Sequence, residues 1–345
     1  MIKIELEDNK FIEFDEYDRL FFYANNYKMK QKLIRSLKRF ANSKSLNELE
    51  EIIYGDNGLE IYRGSQRLNS KNIEVYFLQD NLSIYREIEL SKSSLMNNYI
   101  QTFKEQVAVN IELGEIKNSF LKLESIFNKN IKTVSDNLSV SFSDLTFDNL
   151  LKNYLFLSYF DEFHDYPLEM MDAEILLDEY LNLLENQLLI KSKETWIVLN
   201  NPDSFISKKE LEKLLVGFQQ ISKKTGLLKV YFISNTPPKV KLSCEDIPKT
   251  IILADEAHQM PDFDAFRKNI ESYYPTELPM SDLELCQSFY KIVTDIGIED
   301  KKTRKISRNM VLLKVIDEIL GYDFRVSFEN SELSELEKTY LLTKN

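Results

Sequence analysis

The residues from Ala24 to Gln31 have the spacing of a phosphate-binding loop. The pattern GxxxxGK[ST] puts Ala24 and Met29 on the two glycines, Lys30 on the lysine and Gln31 on the Ser/Thr. Such a loop closes backbone N–H groups around phosphate oxygens. Its lysine reaches the terminal phosphates and its hydroxyl ligates magnesium. Here Ala24 and Met29 place side chains where glycines would let the backbone approach, and Gln31 offers an amide for the hydroxyl. The apolar run Thr195–Leu199 ends at Asn200, where a Walker-type acid would hold the metal. An amide is a weaker ligand for that hard cation than a carboxylate. The spacing therefore predicts the scaffold of a nucleotide site without its chemistry, with no catalytic residue and no bound nucleotide.

Asp255-Glu256-Ala257-His258 spells a helicase motif II after the apolar run Ile251–Ala254. The alternative function is thus an active nucleotide-driven machine working on nucleic acid through Lys30 and these two carboxylates. That enzyme needs an intact phosphate loop, and the chain offers only the altered one.

Charge gives a second signal. Lys28, Lys32, Arg35 and Arg39 recur at helical steps and share a face, with Lys30 and Lys38 beside them. Met29, Leu33, Leu37 and Phe40 share the face expected to meet a core. No acid occurs between Asp18 and Glu48, although the chain carries a net charge of −12. Lys117, Lys122, Lys129 and Lys132 follow along a later helix, interrupted by Glu112, Glu115 and Glu124. These positions form the expected DNA-binding set, and phosphate contacts of this kind carry no base information. Around Pro167, Asp161 and Asp165 are spaced to share a helix face, with Glu162 beside them. That grouping suits a hard cation such as calcium, and equally the solvated end of a helix.

Strands and helices must position these residues. Ile2–Leu6 and Phe11–Phe14 predict a hairpin around Asp8, Asn9 and Lys10. Leu20–Tyr23, Ile73–Leu78, Thr195–Asn200, Lys229–Ser234 and Thr250–Asp255 read as strands, with a helix over Lys208–Lys223 stopped by Gly226. Strand, helix, strand implies parallel pairing. From about residue 93 the period becomes helical: Ile100, Phe103, Val107 and Ile111 begin one helix, and further helices follow near Leu150 and over Leu168–Leu189. After residue 260 the pattern is mostly helical, with a short strand FRVSF at 324–328. The expected fold is α/β, a degenerate phosphate-loop-NTPase-like head with a mostly parallel sheet and an inserted long-helix leg. The head spans 1–92 and 191–260, the leg 93–190 and a C-terminal extension 261–345.

With 345 residues, 43% hydrophobic and 29% charged, the chain has ordinary globular composition. Its acidity argues against a generally basic nucleic-acid coat and leaves room for a segregated basic surface. Two cysteines, Cys244 and Cys286, make no metal spacing and no disulfide framework, which points to a reducing cytoplasm. Two histidines exclude a histidine-rich metal centre. No apolar run has signal-peptide or membrane-span length, so no membrane partner is expected.

A phosphate loop stripped of its ligands leads into a basic helix (Ala24–Phe40). Ile73–Leu78 is followed by Ser93 and Ser94 and a helical region, and the chain re-enters the sheet through WIVLNNPDSFISKKELEKL at 196–214. In this order of elements the chain resembles the adaptation protein of type II-A CRISPR systems, in its large form with a C-terminal extension. The resemblance covers roughly residues 1–255. It implies a homotetrameric ring whose basic inner surface holds double-stranded DNA, with a preference for ends. It also implies calcium ions that steady the ring, and a role in spacer acquisition, in antiviral defence, beside the integrase proteins and RNA-guided nuclease of the same system. The basic helix positions carry over from the resemblance. The calcium ligands do not, and Asp161, Glu162 and Asp165 rest on their spacing alone.

Overall fold

A computed structural model describes residues 1–7, 9–42, 46–55, 58–298, 300–301, 308–326 and 335–342. The chain divides into two compact units, Met1–Asp80 with Lys191–Asn345, and Asn81–Ile190. It is a mixed α/β protein built on a mostly parallel sheet.

The first unit opens with the expected hairpin. Strand β1 (Ile2–Glu7) pairs antiparallel with β2 (Lys10–Phe14), Ile2 opposite Phe14 and Ile4 opposite Ile12. The period of two buries these four on one face. Asn9 turns the chain at φ +56°, a left-handed conformation that Asn tolerates; Asp8 lies outside the described residues. Strand β3 (Arg19–Ala24) is buried from Leu20 to Ala24, as an unbroken apolar run in a parallel sheet should be. Helix α1 (Tyr27–Asn42) then buries Leu33, Ile34, Leu37 and Phe40. After α2 (Glu48–Tyr54), short strands β4 (Ile61–Arg63) and β5 (Gln66–Arg67) extend the hairpin sheet, and β6 (Ile73–Leu78) joins the main one.

The second unit holds α3 (Asn81–Ile88), α4 (Leu95–Gln101), α5 (Val107–Ile131), α6 (Phe147–Tyr154), a hairpin of β7 (Ser158–Phe160) and β8 (Asp165–Pro167), and α7 (Ala173–Lys191). The periodicity that ran from Ile100 through Val107 is broken by a 3-10 turn over Thr102–Glu105. There the Thr102 hydroxyl donates to the Tyr99 carbonyl at 2.7 Å, a local bond that competes with helix propagation. Leu113, Leu145, Phe147 and Leu151 make a small core.

Back in the first unit come β9 (Glu194–Asn200), α8 (Lys208–Thr225), β10 (Leu228–Ser234), β11 (Thr250–Leu253) and β12 (Ala257–Gln259). Ser207 caps α8 and Gly226 ends it at φ +68°. The sheet order is β12-β11-β3-β10-β9-β6, parallel except for β12. Among the described residues four helices follow: α9 (Phe263–Tyr273), α10 (Asp282–Ile292), α11 (Arg308–Leu320) and α12 (Glu335–Leu342). They belong to the same unit as the sheet, and the Tyr290 and Thr250 hydroxyls lie 3.1 Å apart. Of the expected strand FRVSF, Arg325–Val326 pairs with Asp300–Lys301, while Ser327 and Phe328 lie outside the described residues.

Candidate nucleic-acid interface

The turn from β3 into α1 sits at the carboxyl edge of the parallel sheet, where open α/β sheets bind ligands. Here the protein fills that edge with its own amides. Asn26 Oδ1 accepts from the Lys28 and Met29 backbone N–H groups at 3.0 and 3.2 Å, taking the first free donors of α1. Its Nδ2 donates to Asp255 Oδ1 at 3.2 Å, and its backbone N–H to the Leu253 carbonyl at 3.3 Å. Asn26→Ala is expected to cost about 1–2 kcal/mol, because it removes the cap and the bridge to Asp255 together. A drop in urea midpoint with unchanged slope checks this.

Lys30 is corrected by the structure. The sequence set it beside the basic face, but its side chain turns inward and is 2% exposed. Lys30 shares the buried stripe of Leu33 and Leu37, one turn earlier. Its Nζ donates to Asn201 Oδ1 at 2.6 Å and to Asn235 Oδ1 at 3.2 Å. Burial pulls its pKa down to about 8. Asn201 reaches this place because it leaves β9 in the left-handed conformation, φ +50°, held by its N–H to the Ile233 carbonyl at 2.8 Å. Asn201 and Asn235 were not singled out in the sequence. Their signal is an Asn directly after each of two neighbouring apolar strands.

The basic face of α1 forms, but other elements answer its charge. Lys32 Nζ is 2.8 Å and Arg35 Nη2 is 4.0 Å from Glu7 on β1. Arg39 Nε lies 3.3 Å from Glu50 on α2, with 10% of its side chain exposed. The Lys32 ammonium beside it holds the Glu7 carboxyl below the usual carboxylate range. Lys38 donates to Gln79 Oε1 at 3.0 Å and sits over the Phe77 ring. Lys28 is exposed and has no ion-pair partner among the described residues.

On α5, Lys117 is 3.4 Å from Asp144, while Lys122 and Lys129 are exposed, as is Lys132 just past the helix end. Leu121, Ile126 and Phe127 on the same helix are exposed as well, at 62%, 54% and 46%.

The acidic group does not lie on a helix. Asp161 and Asp165 flank the β7–β8 turn, because Asp161 Oδ1 accepts from the Phe163 and His164 backbone N–H groups at 3.0 Å each. Those bonds hold the Asp161 carboxyl below its usual range. Asp165 lines a cavity of about 540 Å³ in the second unit with Tyr85, Glu89, Tyr166 and Glu169. Among the described residues, no three His, Cys, Asp or Glu side chains are gathered as a metal ion requires. Asp161, Glu162 and Asp165 lie on and beside the β7–β8 turn and not on one helix face.

The motif II residues also take a structural place. Asp255 and Glu256 form the turn between β11 and β12, the Ala254 N–H donating to the Glu256 carbonyl at 3.0 Å. His258 is on the edge strand β12, its ring 5.5 Å from that of Tyr322, and burial lowers its pKa. No helix among the described residues is long and apolar enough to cross a membrane.

No protein-family model matches the chain, and no curated protein does. Among solved structures the chain is similar to the crystal structure of Stu0660 of Streptococcus thermophilus, with a TM-score of 0.81 and 17% identity over 99% of each chain. That likeness extends through the C-terminal helices and is one of fold.

Proposed function

We propose that this protein is a non-catalytic, sequence-independent double-stranded DNA-binding protein. In this reading it assembles as a homotetrameric ring in the cytoplasm and acts in CRISPR spacer acquisition beside the system's integrase proteins and RNA-guided nuclease. One observation carries the non-catalytic half: the helix start and lysine that would cradle a phosphate are occupied by Asn26, Asn201 and Asn235. The scaffold is a degenerate phosphate loop whose donors serve the fold. Charge for a polyanion is then left to Lys28 and to Lys122, Lys129 and Lys132, with Lys32, Arg35, Lys38 and Arg39 shared with acidic or amide neighbours. Apolar side chains exposed along α5 beside those lysines support self-association of the unit that bears them. Calcium enters this reading as an ion that steadies the ring.

Binding of linear and closed circular duplexes, followed across salt concentration, tests the reading. Linear DNA is expected to bind more tightly, because a closed ring must thread an end. Each phosphate contact contributes about −0.9 to the slope of log affinity against log salt. Changing Lys122, Lys129 and Lys132 together to Gln should therefore flatten the slope by about 3. An unchanged slope would remove these lysines from the interface. Equal affinity for both topologies, or a monomeric native mass with and without calcium, would remove the ring. ATP turnover abolished by Lys30→Ala would favour the nucleotide-driven machine instead.

A further inference from the structure

Cys244 and Cys286 are the only cysteines in the chain, and the fold brings them together. Cys244 opens the 3-10 turn Cys244–Lys249, and Cys286 lies in α10. Each thiol reaches across to the other's segment. Cys244 Sγ donates to the Asp282 carbonyl at the start of α10 at 3.7 Å, and Cys286 Sγ donates to the Leu242 carbonyl, two residues before Cys244, at 3.8 Å. This crossing turns each thiol toward the segment that carries the other. Cys286 is fully buried, whereas Cys244 is only half-buried and reaches solvent.

We propose that Cys244 and Cys286 are a thiol–disulfide modification site, closing a reversible intramolecular bridge between α10 and the turn that follows β10. The oxidant class is a peroxide. Cys244, the thiol that solvent reaches, attacks a peroxide oxygen; the O–O bond breaks, one water leaves and Cys244 becomes a sulfenic acid. The Cys286 sulfur then attacks the Cys244 sulfur, its proton passing to the sulfenic oxygen as the S–O bond breaks and a second water leaves. Two thiols lose two electrons and two protons in all, and hydrogen peroxide takes them up as two waters. A dithiol reductant reverses the bridge by exchange. Burial, with Cys244 alongside, pushes the Cys286 thiol up to about 12, so Cys286 stays protonated and meets the oxidant second.

The bridge would act on a junction that already matters to the sheet. The turn carries Asp246, whose carboxylate is 2.8 Å from Arg19 Nη2 at the start of β3 and accepts from the Ser243 N–H at 3.0 Å. A covalent tie would fix α10 to the element that holds the first residue of a central strand.

Full-length protein treated with hydrogen peroxide, then alkylated under denaturing conditions and mapped by mass spectrometry, gives the test. The expected result is an intact monomer lighter by two hydrogens, with Cys244 and Cys286 peptides joined and both alkylated again after dithiothreitol. The oxidised protein should melt about 5 °C higher. Cys244→Ser, at a half-exposed position, should leave Cys286 fully alkylatable after the same treatment. The proposal is overturned if both wild-type thiols still alkylate, if the product is a disulfide-linked dimer, or if Cys244 becomes a sulfinic acid while Cys286 remains free.

Discussion

Trp196→Ala should lower the free energy of unfolding by about 3–5 kcal/mol, the range for removing a fully buried large aromatic side chain. Trp196 is 0% exposed in the middle of β9. Its ring stacks on Phe40 of α1 at 5.7 Å with 17° between planes, and lies 5.3 Å from the ring of Tyr231 on β10. It is thus one of the side chains that fasten the basic helix to the sheet, in a core shared with Leu33, Ile34 and Leu37. Its Nε1 donates to Glu194 Oε1 at 2.7 Å. Burial raises the Glu194 carboxyl, but hydrogen bonds from Arg63 and Trp196 outweigh it and hold the group below its usual range. Trp196→Phe keeps most of the packing and loses the indole donor, so its expected cost is smaller, about 1–2 kcal/mol. Urea titrations followed by circular dichroism separate the two. A Trp196→Ala midpoint close to wild type would mean that α1 is not held by this stack.

The second large effect is a pH dependence. In the folded chain Lys30 titrates at about 8, against about 10.4 for a free lysine. Between those values the unfolded chain holds a proton that the native chain has released. Stability from this group therefore rises with pH across the interval, and the penalty is fully present below it. The expected gain of wild type over Lys30→Met between pH 7 and pH 10 is about 1–3 kcal/mol, allowing for partial solvation of the ammonium. The variant lacks the titrating group, so other lysines cancel in the comparison. At pH 7 its own change is expected to be small, since it sheds a desolvated charge, while Asn201 Oδ1 keeps the Asn235 N–H at 3.3 Å and Asn235 is exposed. A wild-type-minus-variant difference that stays constant from pH 7 to pH 10 would place Lys30 in water.

Much of the sheet was legible because its strands are continuous apolar runs with helix signals between them. Leu20–Tyr23, Ile73–Leu78 and Lys229–Ser234 needed no partner to be recognised. The β7–β8 hairpin was not legible, since three-residue strands leave no period and acids beside a Pro look the same at a helix end. The basic face of α1 was read correctly as a face and incompletely as a charge. The stretch from Asp18 to Glu48 holds no acid, yet β1 and α2 bring Glu7 and Glu50 against it from either side in sequence. Such compensation is a tertiary fact that local composition does not contain. Lys30 could have been placed from its step to Leu33 and Leu37, but the phosphate-loop spacing drew it outward.

The amide closure at the carboxyl edge of the sheet bears on what substitution could build there. Placing glycines at positions 24 and 29 would not open a place for a phosphate, because Asn26 would still hold the helix end and Asn201 and Asn235 would still hold the lysine. Several changes would have to occur together, each leaving a stranded donor or acceptor until the rest arrived. An edge whose helix-start donors and lysine are already engaged by amides admits an anion only at the expense of bonds the fold itself uses.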